Sequence, residues 1–394
     1  MEIKELLTFD TEDSTELLVK AGLTPIMFAE ADPEKVMTQL IKLHEIILGK
    51  TLSPSDPNYL VYKVITYALV SLRQRIDYSG KQNLLSYAVN SSLDHIGLLV
   101  GATRIPPKKA VADVKITLSG IQNNAVTIPK GTRVTAGDNI FFVFPDDAVI
   151  LAGNTTTTAK VECMLAGEIG NGYLPGQIKT MVDLVPWVKE IVNITTSAAG
   201  AEQESDEQYR ERIHIAPESF SSAGPSGAYE YYALSANASI IDAYIEGPEL
   251  REGARPGEVD IYVLLDKGMI PDTAVLEEVR KKCDNKRIRP LTDRVNVKAP
   301  SKKIFNFTAT YYVAKSMETQ QGAIQEAVNK AVEEFEQWQR SRLGRDIEPT
   351  ELIYRMRAAG AKRVEVGFTH TVVANNEIAW ASSKTITYGG IEDD

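Results

Sequence analysis

Cysteine and histidine are scarce in these 394 residues, and long apolar runs are missing. The two cysteines, Cys163 and Cys283, are far apart and form no CxxC pair. That excludes a disulfide framework and any zinc spacing, and it fits a reducing compartment. The four histidines, His44, His95, His214 and His370, fall in separate segments with no HxxH or HxxxH pair. Each reads as an isolated surface or helix-face residue, since a metal site needs converging ligands. The longest apolar run, IGLLVGA at 96–102, is far shorter than the roughly 20 residues of a spanning helix. Basic residues are outnumbered, 43 Lys and Arg against 53 Asp and Glu, for a net charge of −10. A general nucleic-acid binder needs the opposite balance. The first residues, MEIKELLTFDTEDSTELL, are acidic and carry no signal-peptide h-region, so cytosolic synthesis is expected.

What is present is a soluble globular composition, 43% hydrophobic and 24% charged, on a chain long enough for two to four domains. Residues 1–24 are polar and read as an arm that orders on a partner. Asp32-Pro33 and Asp56-Pro57 each supply an N-cap followed by proline at the first helical position, and Gly49 supplies a stop. Leu60, Val61, Val64, Ala68, Leu72 and Ile76 keep helical spacing, as a packing or bundle module would. After Ala110 the period changes to two: Val114, Ile116 and Leu118 alternate with polar residues, and short strands follow. Beyond residue 200, helices and strands mix. Phe305, Phe307, Ala309, Tyr311 and Val313 share one strand face, and Ile324, Val328, Ala331, Phe335 and Trp338 share one helix face. Glu326 with Lys330, and Glu336 with Arg340, are i,i+4 pairs on that helix. The expected fold class is a multidomain α+β protein. Its parts are an N-terminal arm and helical module (1–105), a β domain (106–200) and two small α+β modules (201–300 and 301–394), the last two forming a loose pseudo-repeat.

Catalytic patterns are sparse. No GxSxG occurs, and GPSG around Ser226 sits at a helix start, where Ser and Gly are ordinary caps. Both cysteines occupy the apolar phase of their elements and read as core thiols. The glycines of GEIGNG (Gly167, Gly170, Gly172) lack a following helix and read as turn residues with positive φ. No cofactor is implied. The charged stretch AEQESDEQYRERI, 201–213, reads as a capped helix start. Ser205 and Gln208 form a capping box, Asp206 and Glu207 favour the first turn, and Tyr209, Ile213 and Ala216 make one apolar side. Adjacent carboxylates on a helix do not face each other across a cleft. A basic stretch, Lys281, Lys282, Lys286, Arg287, Arg289 and Arg294, has two readings. It is a docking surface for an acidic partner or a second copy of this acidic chain, or it is the solvated C-terminal end of a helix.

Several stretches in fixed order resemble one family, from about residue 56 to residue 370. SLDHIGLLVGATR carries Leu93, Asp94, Gly101 and Arg104. TIPKGTRV carries Ile128, Pro129, Gly131 and Thr132. AGEIGNGYLPGQI carries Ala166, Gly170, Asn171, Gly176 and Ile178. Glu204, Ser205, Tyr209, Arg210, Arg212 and Ile213 match an E-S-x-x-x-Y-R-x-R-I signature. AGPSGAYEYYA, RPGEVDIYVLL and RPLTDRVNVKAP follow, the last with Arg289, Pro290, Leu291, Thr292 and Asp293. The chain resembles the baseplate J-like proteins of contractile phage tails and related injection systems.

The resemblance implies a structural wedge component of a virion or tail baseplate, assembled in the bacterial host cytoplasm and without catalysis. Its implied partners are other wedge proteins, hub and sheath-start proteins, a fibre-linking protein and further copies of itself. Nucleic acid and membrane insertion are not expected. Two other classes stay open: a host-surface adhesin or fibre module, and an enzyme whose carboxylates converge only in three dimensions.

Overall fold

The structure, a computed structural model, describes residues 22–221, 225–250, 253–285 and 288–393. The chain divides into two compact units. One comprises residues 1–104 and 205–216; the other comprises 105–204 and 217–394. The helix expected to open the third module therefore packs with the N-terminal helices, and the first unit is discontinuous in sequence.

In the first unit, helix α1 spans Pro33–Leu48, α2 Pro57–Lys81 and α3 Asn90–Leu99. The Asp32 carboxylate accepts from the backbone N–H groups of Glu34 and Lys35, and Gly49 closes α1 at φ +64°. Asp56 caps α2 in the same way. His44 is buried and its Nδ1 lies 2.9 Å from the Tyr62 hydroxyl, so it joins α1 to α2 and is not a surface residue. Among the described residues, the apolar stripe of α2 enters no core. Leu60, Val61, Val64, Leu72 and Ile76 are 50–70% exposed, while Thr66 and Val70 are the buried residues of that helix.

The second unit starts with a six-stranded antiparallel sheet. Its strands are β1 (Lys109–Leu118), β3 (Arg133–Thr135), β4 (Phe141–Val143), β6 (Thr156–Ala166), β7 (Thr180–Met181) and β8 (Val188–Asn193). The order is β7-β3-β4-β6-β1-β8, and the two end strands approach each other, so the sheet curls into a nearly closed barrel. A short pair, β2 (Val126–Ile128) and β5 (Ala148–Ile150), lies beside it. The period-two residues Val114, Ile116 and Leu118 fill the interior with Ile128, Phe142, Phe144, Val161 and Cys163.

The next module contains α5 (Ser226–Leu234), β9 (Ile240–Glu246), β10 (Glu258–Leu265), α6 (Thr273–Cys283) and β11 (Arg294–Lys298), with α4 reserved for Asp206–Ile215 of the first unit. The last module contains β12 (Ser301–Ala314), α7 (Gln321–Gln339), α8 (Pro349–Ala358), β13 (Arg363–Val366) and β14 (Glu377–Glu392). Each has a three-stranded mixed sheet whose central strand, β10 or β12, has one parallel and one antiparallel neighbour. The chain orders of the two differ. One core takes Val275, Val279 and the expected core thiol Cys283 of α6; the other takes the expected strand face, Phe307, Ala309, Tyr311 and Val313, against Val328 and Phe335. Burial pushes the Cys283 thiol up to about 12, which leaves it an unreactive core group. The expected helix-surface ion pairs are re-partnered. Lys330 reaches Glu334 at 3.7 Å, and Glu336 meets Lys384 of β14 at 2.9 Å.

Candidate functional site

The signature helix α4 begins as its sequence dictates. The Ser205 hydroxyl accepts from the Gln208 N–H, and the Gln208 side chain accepts from the Ser205 N–H. Its two arginines, Arg210 and Arg212, are both buried. Arg210 donates to the carbonyls of Leu85 (2.9 Å) and Ala88 (2.8 Å), and Arg212 donates to that of Thr103 (2.6 Å). These carbonyls lie in the irregular segments that flank α3, outside any helix ladder that would supply them a donor. Burial lowers the Arg210 pKa despite the opposing pull of Asp206 and Glu207.

Asp206 serves a second helix besides its own. Val89 offers α3 no side-chain cap, and the Asn90 N–H instead donates to Asp206 Oδ2 at 2.7 Å. Asp206 Oδ1 lies 2.6 Å from Arg104, whose Nε lies 2.8 Å from Asp94. Burial disfavours the Arg104 charge, but the hydrogen bonds and charges of Asp94 and Asp206 together outweigh it and raise its pKa. Tyr209 completes the clamp. It is fully buried, its hydroxyl donates to the Ala102 carbonyl at 2.9 Å, and Arg104 and Arg212 lie 4.8 and 5.2 Å from its ring centroid. Gly97 is the contact point on α3, where any Cβ would run into the Tyr209 hydroxyl. Arg104 thus meets the signature helix and brings Asp94 with it, while Leu93 is buried and Gly101 takes φ +71°.

Glu204 belongs to the second unit. Its carboxylate accepts from the Ile105 N–H at 2.9 Å, and its own N–H donates to the Ile105 carbonyl at 3.1 Å. The two ends of the barrel segment are thereby joined. Lys108 then reaches the Ala236 carbonyl (2.7 Å) and Glu278 (2.9 Å), fastening the barrel to the following module.

The Ile128-Pro129-x-Gly131-Thr132 motif is a turn. Ile128 is core, Gly131 takes φ +84°, and the Thr132 N–H and hydroxyl both donate to the Pro129 carbonyl. The glycine-rich turn is partly corrected. Gly167 and Gly172 have positive φ, but Gly170 does not; a Cβ there would press on Cys163 and Ala110. Asn171 holds Gly200 by two hydrogen bonds, accepting its N–H and donating to its carbonyl.

The basic stretch is divided. Lys281, Lys282 and Arg294 are exposed. Arg289 is half-buried and holds its own loop, pairing with Asp284 at 2.8 Å and donating to the Asp293 and Pro290 carbonyls. Asp293 accepts from the Tyr229 hydroxyl at 2.8 Å. Pro290 and Thr292 shape the same loop, and Leu291 projects from it at 96% exposure. Lys286 and Arg287 lie outside the described residues. The RPG and RPLTD motifs meet here: Gly257, at φ +78°, leaves no room for a Cβ against the Thr292 carbonyl. Among the described residues no three His, Cys, Asp or Glu side chains are grouped to hold a metal, and no helix is long and apolar enough to cross a membrane.

Fold and site define a multidomain α+β protein with a central barrel, its helical unit locked by a buried tyrosine–arginine clamp. Three family models match in chain order: the Baseplate J-like N-terminal domain over 54–108, the barrel domain over 115–200 and the central domain over 221–299. The chain belongs to the baseplate J-like family. It is 29% identical over 196 residues to baseplate protein J of Escherichia phage P2, covering 49% of this chain and 62% of that protein. It is 30% identical over 101 residues to the uncharacterized protein YqbT of Bacillus subtilis (strain 168), covering 26% of each. The match thus spans less than two thirds of either relative. A cryo-EM structure of the anti-feeding prophage baseplate, 6-fold symmetrised, aligns over 95% of this chain and 99% of that chain, with a TM-score of 0.39 and 13% identity.

Proposed function

We propose that this chain is a structural component of the baseplate of a contractile tail or injection system, in the wedge that links hub, sheath start and fibre-bearing periphery. Family membership supports the baseplate role. The observation that carries the finer reading is the exposed apolar stripe of α2. Five large aliphatic side chains at helical spacing stay half or more exposed, although each would gain roughly 1 kcal/mol from completing its burial. Helices of neighbouring baseplate proteins would cover them in a bundle. The exposed Lys281, Lys282 and Arg294 around Leu291 form a second contact, suited to an acidic partner or another copy of this acidic chain. Rearrangement of such modest contacts would relay surface binding to sheath contraction. Assembly would take place in the bacterial cytoplasm, and the role requires no catalysis, cofactor or membrane insertion.

The test is electron microscopy of particles from producing cells with the gene deleted and complemented. Wild-type complementation should restore complete tails. A Val61→Glu, Val64→Glu, Leu72→Glu triple variant should fold, because these positions are exposed, yet leave tail parts unassembled. Normal particles from the deletion strain would remove the baseplate role. Normal particles from the triple variant alone would remove the bundle.

A further inference from the structure

The loops beside the barrel hold a cleft that an assembly role leaves unused. It has a volume of about 480 Å³ and is lined by Gln122, Asn123, Asn124, Thr127, Pro186 and Trp187, among others. That size falls within the range of small-molecule sites. None of the nine lining residues carries a formal charge. A phosphate, a carboxylate or a metal ion would find no counter-charge in it.

Trp187 is 59% exposed and sits at φ +69°, a left-handed conformation that bulky residues seldom adopt. The backbone is pinned there because the Trp187 carbonyl accepts both the Ser119 N–H (2.9 Å) and the Ser119 hydroxyl (3.2 Å). Neither bond uses the indole, and glycine would satisfy the same backbone without strain. Neither core packing nor backbone geometry explains a tryptophan at this position. What the side chain adds is a flat aromatic surface at the edge of a neutral cleft.

The lining also includes a run of three carboxamides, Gln122, Asn123 and Asn124. The side chains of Asn123 and Asn124 are exposed and make no hydrogen bond to the described residues. Each carboxamide presents two donors and an acceptor. Sugar hydroxyls, each both donor and acceptor, are the natural complement of such a row. The C–H face of a pyranose is the complement of an indole. A polyproline segment would call for an aromatic-lined groove, whereas this cleft has a single aromatic residue.

We propose that this cleft binds a neutral saccharide, with a pyranose ring stacked on Trp187 and its hydroxyls bonded to Asn123 and Asn124. The full chain should be screened on an array of neutral hexose and N-acetylhexosamine oligosaccharides alongside sialylated and sulfated ones. The best neutral oligosaccharide is then titrated by calorimetry at low and high salt. Retention of neutral glycans with salt-independent affinity is expected. Trp187→Gly should melt at or above the wild-type temperature, since it relieves the backbone, and should weaken binding at least about tenfold. Asn123→Ala with Asn124→Ala should also weaken it. Absence of any retained glycan, retention of acidic glycans alone, or undiminished binding by Trp187→Gly would each overturn the proposal. Loss of particle assembly in Trp187→Gly without glycan binding by the wild type would reassign the cleft to a protein partner.

Discussion

Replacing Gly97 by alanine puts a methyl group where the Tyr209 hydroxyl sits. The new Cβ would also lie 2.7 Å from Tyr209 Cζ and 2.8 Å from the Ala102 carbonyl oxygen. Two effects oppose each other. Alanine in a helix interior is favoured over glycine by about 1 kcal/mol. Overpacking costs about 1–3 kcal/mol, and displacing the tyrosine breaks a buried hydrogen bond worth about 1 kcal/mol. The tyrosine has no free path of retreat, because it is fully buried and Arg104 and Arg212 lie against its ring. The net expectation is a loss of about 1–3 kcal/mol, confined to the helical unit. Hydrogen exchange read on peptides from 90–104 and 205–216 should show protection falling about 30-fold for a 2 kcal/mol loss, while barrel peptides hold. Tyr209→Phe should lose about 1 kcal/mol by itself and relieve part of the Gly97→Ala penalty, so the double variant is less destabilised than the sum. A neutral or stabilising Gly97→Ala, or strict additivity, would refute the clamp as described.

Arg210→Ala should destabilise the same unit by about 2–3 kcal/mol, because it leaves the Leu85 and Ala88 carbonyls without their donor; exchange at 85–90 reads it. Gly257→Ala should cost about 2–4 kcal/mol through left-handed strain and collision with the Thr292 carbonyl, seen as a lower denaturant midpoint. The hydrogen bonds from Arg133 hold the Asp183 carboxyl down at about 2. Its folded pKa is depressed, so its contribution is present above about pH 4 and is lost as pH falls toward 2. Asp183→Asn should flatten the stability–pH curve across that window alone. Lys281→Glu, Lys282→Glu and Arg294→Glu together should lower particle yield while the isolated chain melts normally; unchanged yield would remove this face from assembly. Arg289 is unsuitable for that test, since it holds its own loop.

The elements with one strong local determinant were legible in the sequence. Asp32-Pro33, Asp56-Pro57 and the Ser205–Gln208 box start helices where they were expected to, and the period-two run after Ala110 is a barrel strand. The clamp was not legible in chemical terms, because its partners lie about a hundred residues away and are backbone carbonyls that any sequence has. Arg210 and Arg212 therefore stand out in the sequence only as signature residues, and nothing local marks Asp206 as the cap of α3. Glu336 likewise has a helical neighbour at the right spacing, yet Lys384 of another element wins it. Gly170 was assigned to a turn because glycine is ambiguous between φ freedom and close packing, and sequence carries only the identity. The stripe of α2 was read from its helical spacing and lies on a helix, but periodicity cannot say whether the apolar side faces this chain or another.

Glu204 and Ile105 grip each other where the barrel segment begins and ends, and this has a consequence in time. The helical unit is interrupted after Arg104 and receives its last helix only after the barrel sequence has been made. At ribosomal rates of about 5–20 residues per second, its first three helices wait roughly 6–20 s for Tyr209, Arg210 and Arg212 to emerge. During that wait the α2 stripe is exposed on a half-built unit. A barrel that closes promptly, with its two ends already tied, delivers the missing helix to its start. The inserted domain thus acts as a timer: the surface proposed to meet other chains becomes firm only once the chain has made the part that interrupts the helical unit.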